Sequence, residues 1–148
     1  MIWRLTLPHP PSANSLYRHR LMKGTVIKYK THEHRDYMEA VGHALRVARL
    51  RDPTLDAFPL AKHERLIVTI DSYRPRRVGD IDNPIKALFD ALTEHEVWTD
   101  DEQVIDLHVR RRDDKLNPRV EVTISIAPVD SLIDVPEGDV EQRRKGNT

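Results

Sequence analysis

The chain contains no cysteine, which excludes disulfides and thiolate metal sites and fits a reducing cytosol. Glycine is scarce, at five in 148 residues, so a glycine-rich cradle for nucleotide phosphates is not expected. Aromatic residues make up 5 % and apolar residues 39 %, which limits the core to a modest size. No run approaches the ~18 consecutive apolar residues of a membrane-spanning helix, so no membrane partner is expected. The opening Met1–Pro8 lacks the basic and long apolar regions of a secretory signal. A cytoplasmic single domain is the expectation, since this length suits one core and is short for two.

Charge is what the chain has in quantity. Charged residues are 32 % of the total and cancel to zero overall, yet they are unevenly placed. Residues 1–79 carry 15 Lys/Arg against 7 Asp/Glu, whereas residues 80–148 carry 9 against 17. Such polarity suits a basic half that meets a polyanion and an acidic half that holds cations; two halves that neutralise each other are equally compatible with it.

The periodicities predict an α+β domain. Trp3, Leu5 and Leu7 alternate as a strand that Pro8, Pro10 and Pro11 end. Residues 12–30 read as loop or ribbon, with Arg18, His19, Arg20, Lys23, Lys28 and Lys30 interleaved with Tyr17 and Tyr29. A helix begins near Thr31 and buries Tyr37, Val41, Ala44, Leu45 and Ala48; Asp52-Pro53 stops it. Leu66, Val68 and Ile70 form a second strand, and Ile85, Leu88, Phe89 and Leu92 a second amphipathic helix. Ile105, Leu107 and Val109 make a third strand, and Val120, Val122, Ile124 and Ile126 a fourth. The turn-forming residues 113–118 predict that these two pair as a hairpin. The sum is a mixed or antiparallel sheet of about four strands with two helices, over residues 1–128. Residues 129–148, poor in apolar side chains, are expected to be a disordered tail.

The chemistry gathers around Asp80-Ile81-Asp82-Asn83-Pro84. In an extended segment Asp80 and Asp82 face the same side, with Cα atoms about 6.5–7 Å apart. Pro84 disfavours the helical region for Asn83, which predicts Asn83 as N-cap and Pro84 as the first helical residue. A helix over 84–95 spans about 18 Å, and residues 97–101 can travel back about 17 Å if extended. Asp101 therefore just reaches the neighbourhood of Asp80 and Asp82, or meets them through a partner subunit. Hard oxygen donors without cysteine favour Mg²⁺, with Mn²⁺ as a substitute. Lys86, one turn into the helix, could contact a phosphate or stabilise developing charge; the plainer option is a solvated lysine paired with Asp82 or Asp90.

An isolated D-x-D is weak, because aspartate-rich turns and helix caps are common. An EF-hand is excluded, since Ile85 stands where glycine is needed and Ala91 where the bidentate glutamate belongs. Three basic groups flank the acids: the 18–30 segment, Arg74 with Arg76 and Arg77, and Arg110 with Arg111 and Arg112. Lying near carboxylates, they favour phosphate contacts. Trp98 is either a core anchor or a base-stacking platform.

Taken in order, these residues resemble the RusA family of Holliday junction resolvases. The resemblance rests on Leu7-Pro8-His9-Pro10-Pro11-Ser12-Ala13-Asn14 with Tyr17-Arg18, and on Asp80-Ile81-Asp82-Asn83, Lys86 and Phe89-Asp90-Ala91-Leu92. It continues through Trp98, Asp100-Asp101 and Gln103-Val104, and so spans most of residues 3–126. It implies a homodimeric, Mg²⁺-dependent endonuclease that cuts four-way DNA junctions by paired nicks, leaving 5′-phosphate and 3′-hydroxyl ends in a bacterial or phage-infected cytosol. The family's three essential aspartates fall on Asp80, Asp82 and Asp101, and its lysine on Lys86. The chain departs from the family at Val78-Gly79, where a basic residue often precedes the first aspartate. A protein that binds junctions without cutting them is the alternative. A metal enzyme acting on a small phosphate is a third reading, for which three basic groups would be superfluous.

Overall fold

A computed structural model describes residues 1–12, 15, 17–77 and 79–129. Ala13 and Asn14, part of the sequence resemblance above, lie outside the described residues, as do Val78 and the expected tail from 130 onward.

Alternation builds the main sheet. In β1 (Ile2–Pro8) Trp3, Leu5 and Leu7 are buried, and in β6 (Arg119–Ile126) Val120, Val122 and Ile124 are. Their antiparallel register sets Trp3 opposite Ile124 and Leu5 opposite Val122, so the apolar sets share one face. In β4 (Leu66–Arg74) every second residue is buried, from Leu66 through Val68 and Ile70 to Ser72 and Arg74. Against the same face pack α1 (His32–Arg51), through Tyr37, Met38, Val41 and Leu45, and α2 (Ile85–Glu94), through Ala87, Leu88, Ala91 and Leu92. Gly42 lets α1 approach the end of α2 closely: an added Cβ would lie 2.6 Å from His95 Cε1, and His95 Nε2 donates to Met38 O at 2.6 Å. The α+β architecture with a mixed four-stranded sheet and two helices is therefore as expected, and a separate two-stranded sheet joins it.

That second sheet is a ribbon of β2 (Tyr17–Met22) and β3 (Thr25–Lys30), within the segment expected to be loop or ribbon. Thr31 then caps α1 as expected, its hydroxyl accepting from His34 N at 3.3 Å and donating to Ser15 O. Asp52 ends α1 by capping the short turn that begins at Pro53.

Three expectations are corrected. The sheet order is β1-β6-β4-β5, so β5 (Val104–Asp113) and β6 are not a hairpin. Strand β4, parallel to β5 and antiparallel to β6, lies between them. The turn residues 114–118 pass over its end, where Asp114 N bonds Arg74 O at 3.0 Å. The apolar β4 face needs neighbours on both sides to complete its backbone hydrogen bonds, and so it takes the centre. Strand β5 is consequently an edge, and Ile105 and Leu107 stay exposed on it. Second, α2 starts at Ile85 with Pro84 in the cap position rather than as the first helical residue, and Leu88 N bonds Pro84 O. Third, the segment 80–85 is not extended. Asn83 N bonds Asp80 O at 3.4 Å and Ile85 N bonds Asp82 O at 3.0 Å, so successive tight turns deliver the chain to the helix.

Candidate active site

The acidic residues divide between two supports. Asp101 opens a single turn of 3₁₀ helix, Asp101–Gln103, braced from below. Asp100 caps it through Glu102 N at 3.1 Å, while Gln103 Oε1 accepts from Thr99 N and Asp100 N, both at 2.9 Å. The Gln103 side chain is fully buried, and its Nε2 donates to Ala61 O at 2.8 Å and Glu64 O at 3.2 Å. Trp98, also fully buried, bonds Thr93 Oγ1 at 2.8 Å and meets Phe89 edge-on at 5.2 Å. Trp98 is thus a core anchor and is closed to base stacking. Burial raises the pKa of Asp101; a shared hydrogen bond with the Asp100 carboxyl and the charge of that neighbour add to the rise, which Lys86 opposes.

Lys86 stands one turn into α2. Its Nζ donates to Asp90 Oδ1 at 2.9 Å, and Asp90 Oδ2 accepts from Tyr17 Oη at 3.4 Å. The Asp90 carboxylate holds the Lys86 pKa above its ordinary value, first through this hydrogen bond and then through its charge; Tyr17 and Asp101 contribute less. Asp101, Lys86 and Asp90 therefore form one electrostatic group at the foot of the ribbon. Beneath Tyr17 lies His34, 1 % exposed, its ring 5.4 Å from the tyrosine ring. Burial and Lys30 push the His34 pKa down, which keeps the imidazole neutral.

Asp80 and Asp82 stand on the exposed turn before α2. Gly79, at φ +89, adopts a backbone that L side chains rarely take, and Arg111 Nη2 ties its carbonyl to β5 at 3.0 Å. Asp80 borders a cavity of about 180 Å³ with His9, Ser12, Arg74 and Asn83. There His9 Nε2 lies 3.3 Å from Ser72 Oγ; its pKa is lowered by burial first, with the Arg74 charge adding to the fall. Among the described residues no three His, Asp or Glu side chains are placed together as a metal-ligating group. Asp101 lies within electrostatic reach of Lys86, and Asp80 and Asp82 stand on the turn that precedes α2. The donor chemistry fits a hard divalent cation, since every candidate ligand is a carboxylate and Asp101 has a second carboxylate, Asp100, beside it.

The basic residues are spread over three surfaces. Arg18, Arg20, Lys23, Lys28 and Lys30 are exposed along the ribbon, with Lys28 Nζ 4.1 Å from the centre of the Tyr17 ring and Lys30 paired to Glu94 at 3.8 Å. Arg76 and Arg77 are exposed beyond β4, whereas Arg74 is 8 % exposed and holds Asp113 at 3.1 Å. Arg111 shares the helix-covered face with Ser72, and Arg110 shares the opposite face with Asp71, to which it bonds at 2.7 Å. The group near Lys86 includes Tyr17, Asp90 and His34, which had no place among the expected site residues. Only the i, i+4 spacing of Lys86 and Asp90 could have signalled one of them, since Tyr17 and His34 arrive through tertiary contact.

Carboxylates and a lysine beside cationic surfaces suit a protein that handles phosphates. Comparison with known proteins narrows this. The chain matches the family model described as Endodeoxyribonuclease RusA over residues 8–125. It is 36 % identical over 126 residues to the crossover junction endodeoxyribonuclease RusA proteins of Enterobacteria phage 82 and of Escherichia coli strain K12. The same identity holds against the protein of that name from Shigella sonnei strain Ss046. Each alignment covers 83 % of this chain and 93 % of the relative. The chain belongs to the RusA endodeoxyribonuclease family.

Proposed function

We propose that this protein is a crossover junction endodeoxyribonuclease that cuts four-way DNA junctions. The observation that carries the reading is the Asp101–Lys86–Asp90 group set at the foot of a ribbon bearing five Lys/Arg and no acid. Phosphates guided along the ribbon arrive where a lysine ammonium is already held in place. Asp80, Asp82 and Asp101 would hold Mg²⁺, or Mn²⁺ in its stead, which when bound lowers the pKa of a water and polarises the scissile phosphate. Lys86 stabilises the negative charge that grows on the phosphate oxygens, and Asp90 keeps its ammonium charged and pointed. The products carry 5′-phosphate and 3′-hydroxyl ends.

Ribbon residues Arg18, Arg20, Lys23, Lys28 and Lys30, with Arg76 and Arg77, supply phosphate contacts. Arg111 serves by fastening the turn at Gly79 and Arg74 by bracing Asp113. Arg110, on the far face of the sheet, meets only an arm that wraps around the domain. A two-fold substrate calls for two sites, so the working unit is a homodimer that makes paired nicks. No helix among the described residues is long and apolar enough to cross a membrane. The proposed setting is the cytosol of a bacterium or phage-infected host.

The exposed ribbon cations would equally serve a protein that binds junctions without cutting them. A labelled four-way junction and a linear duplex, each incubated with and without Mg²⁺, separate the two. Metal-dependent paired nicking of the junction supports cleavage; tight binding with no nick under Mg²⁺ or Mn²⁺ supports the binding protein.

A further inference from the structure

Beyond Tyr17, which packs against the body, every residue of the two ribbon strands is exposed, and the cross-strand pairs sort the side chains. Tyr17 with Lys30, His19 with Lys28 and Leu21 with Val26 share one face. Arg18 with Tyr29, Arg20 with Ile27 and Met22 with Thr25 share the other. Lys23 and Gly24, at φ 50 and 78, close it as a two-residue turn, so the tip is only two strands wide. Leu21 is 70 % exposed and Val26 64 %, and Met22 and Ile27 are exposed beside them. Four large apolar side chains thus flank the turn of a ribbon that carries Arg18, Arg20, Lys28 and Lys30 on its strands, Lys23 at its turn, and no acid. Like charge opposes pairing with the ribbon of another copy, whereas a polyanion complements it.

A nucleic acid offers an apolar surface where base stacks are interrupted. In an unbroken duplex the base faces are stacked; at a four-way junction the stacks break at the branch point. Apolar wedges enter DNA between base steps, while cations hold the flanking phosphates. The face bearing Leu21 and Val26 also bears Tyr17, which bonds Asp90 beside Lys86. The four residue steps from Tyr17 to Leu21 span about 14 Å, so one continuous surface runs from the tip to the site.

We infer that the ribbon tip is the element that reads the branch: Leu21 and Val26, with Met22 and Ile27, enter the junction centre while the ribbon cations hold its arms. The inference rests on the junction-cutting reading above and adds to it the source of structure selectivity. It concerns recognition and is independent of which residues hold the metal.

The test compares wild type with the double variant Leu21→Ser/Val26→Ser, both positions being exposed, after circular dichroism shows an unchanged fold. Binding is measured without metal to a four-way junction and to linear duplex, and 2-aminopurine at the branch point reports unstacking. The variant is expected to lose about ten-fold or more of the preference for the junction, with duplex affinity held within about two-fold. The wild-type rise in 2-aminopurine fluorescence should disappear. Retained junction preference would overturn the inference, as would an equal fall on duplex, which would place the tip in a groove. Sedimentation showing a wild-type dimer and a variant monomer would make the tip a contact between copies and overturn it too. A wild-type protein with no preference for the junction would defeat the underlying reading itself, and the variant is not needed to see that.

Discussion

The two supports for the aspartates differ in how they are held. Asp101 rests on a floor of buried Trp98 and Gln103, whose side-chain hydrogen bonds reach back to the 60–64 loop. Asp80 and Asp82 stand on an exposed turn secured by backbone bonds and by Arg111 at Gly79. One side of the site is set by the core and the other by the surface. A loop outside the core costs little to rearrange, so the turn is the side that can adjust to substrate and ion.

The largest effect should come from the carboxylates themselves. Asp101→Asn and Asp80→Asn are each expected to lower cleavage by about a thousand-fold or more, while junction binding in gel-shift assays persists. A braced Asp101 that could be replaced without loss would break the comparison, because the rigid support would then have no chemical purpose. Next, Trp98→Ala should destabilise the fold by about 3–5 kcal/mol in urea unfolding, since it empties the floor under Asp101. Asp82→Ala, on the exposed turn, should change stability by less than about 0.5 kcal/mol.

A smaller effect is expected at Asp90. Asp90→Asn should lower kcat by about ten-fold with little change in KM. Asp90 raises the Lys86 pKa, so the ammonium is fully charged below the ordinary lysine value and loses its charge as pH rises through the raised one. Without Asp90 the alkaline limb of the pH–rate profile should move to lower pH, a shift that loss of packing alone would not produce. Gly79→Ala is expected to act through the backbone of the turn. Its φ of +89 makes any side chain strained by about 1–2 kcal/mol, although only Asn83 Nδ2, at 4.0 Å, stands near the added Cβ. If cleavage falls more than stability, the turn's conformation is what positions Asp80.

Much of the fold was legible because its periods are clear. The alternation in β1, β4 and β6 and the helical stripe of α1 name the buried faces directly. The hairpin expected between β5 and β6 failed for a physical reason: turn residues report that the chain reverses, not that the flanking strands are neighbours. The exposure of Ile105 and Leu107 follows from an edge position that alternation does not encode. At Pro84 the local bias towards an extended Asn83 gave way to the turns that carry the chain from β4 into α2.

The sequence by itself singled out the candidates: the aspartates at 80, 82 and 101, the lysine at 86, and the basic residues from Arg18 to Lys30. Side-chain type and spacing suffice to name candidates, because carboxylates and ammonium groups are visible in the chain itself, whereas their affinities depend on where they sit. Only the tertiary structure decided that Tyr17 bonds the Asp90 carboxylate that holds Lys86, that Asp101 stands on the core, and that Asp80 and Asp82 stand outside it. Those outcomes depend on contacts between segments far apart in the chain, such as Tyr17 with Asp90 and Gln103 with the 60–64 loop, which local preference does not encode.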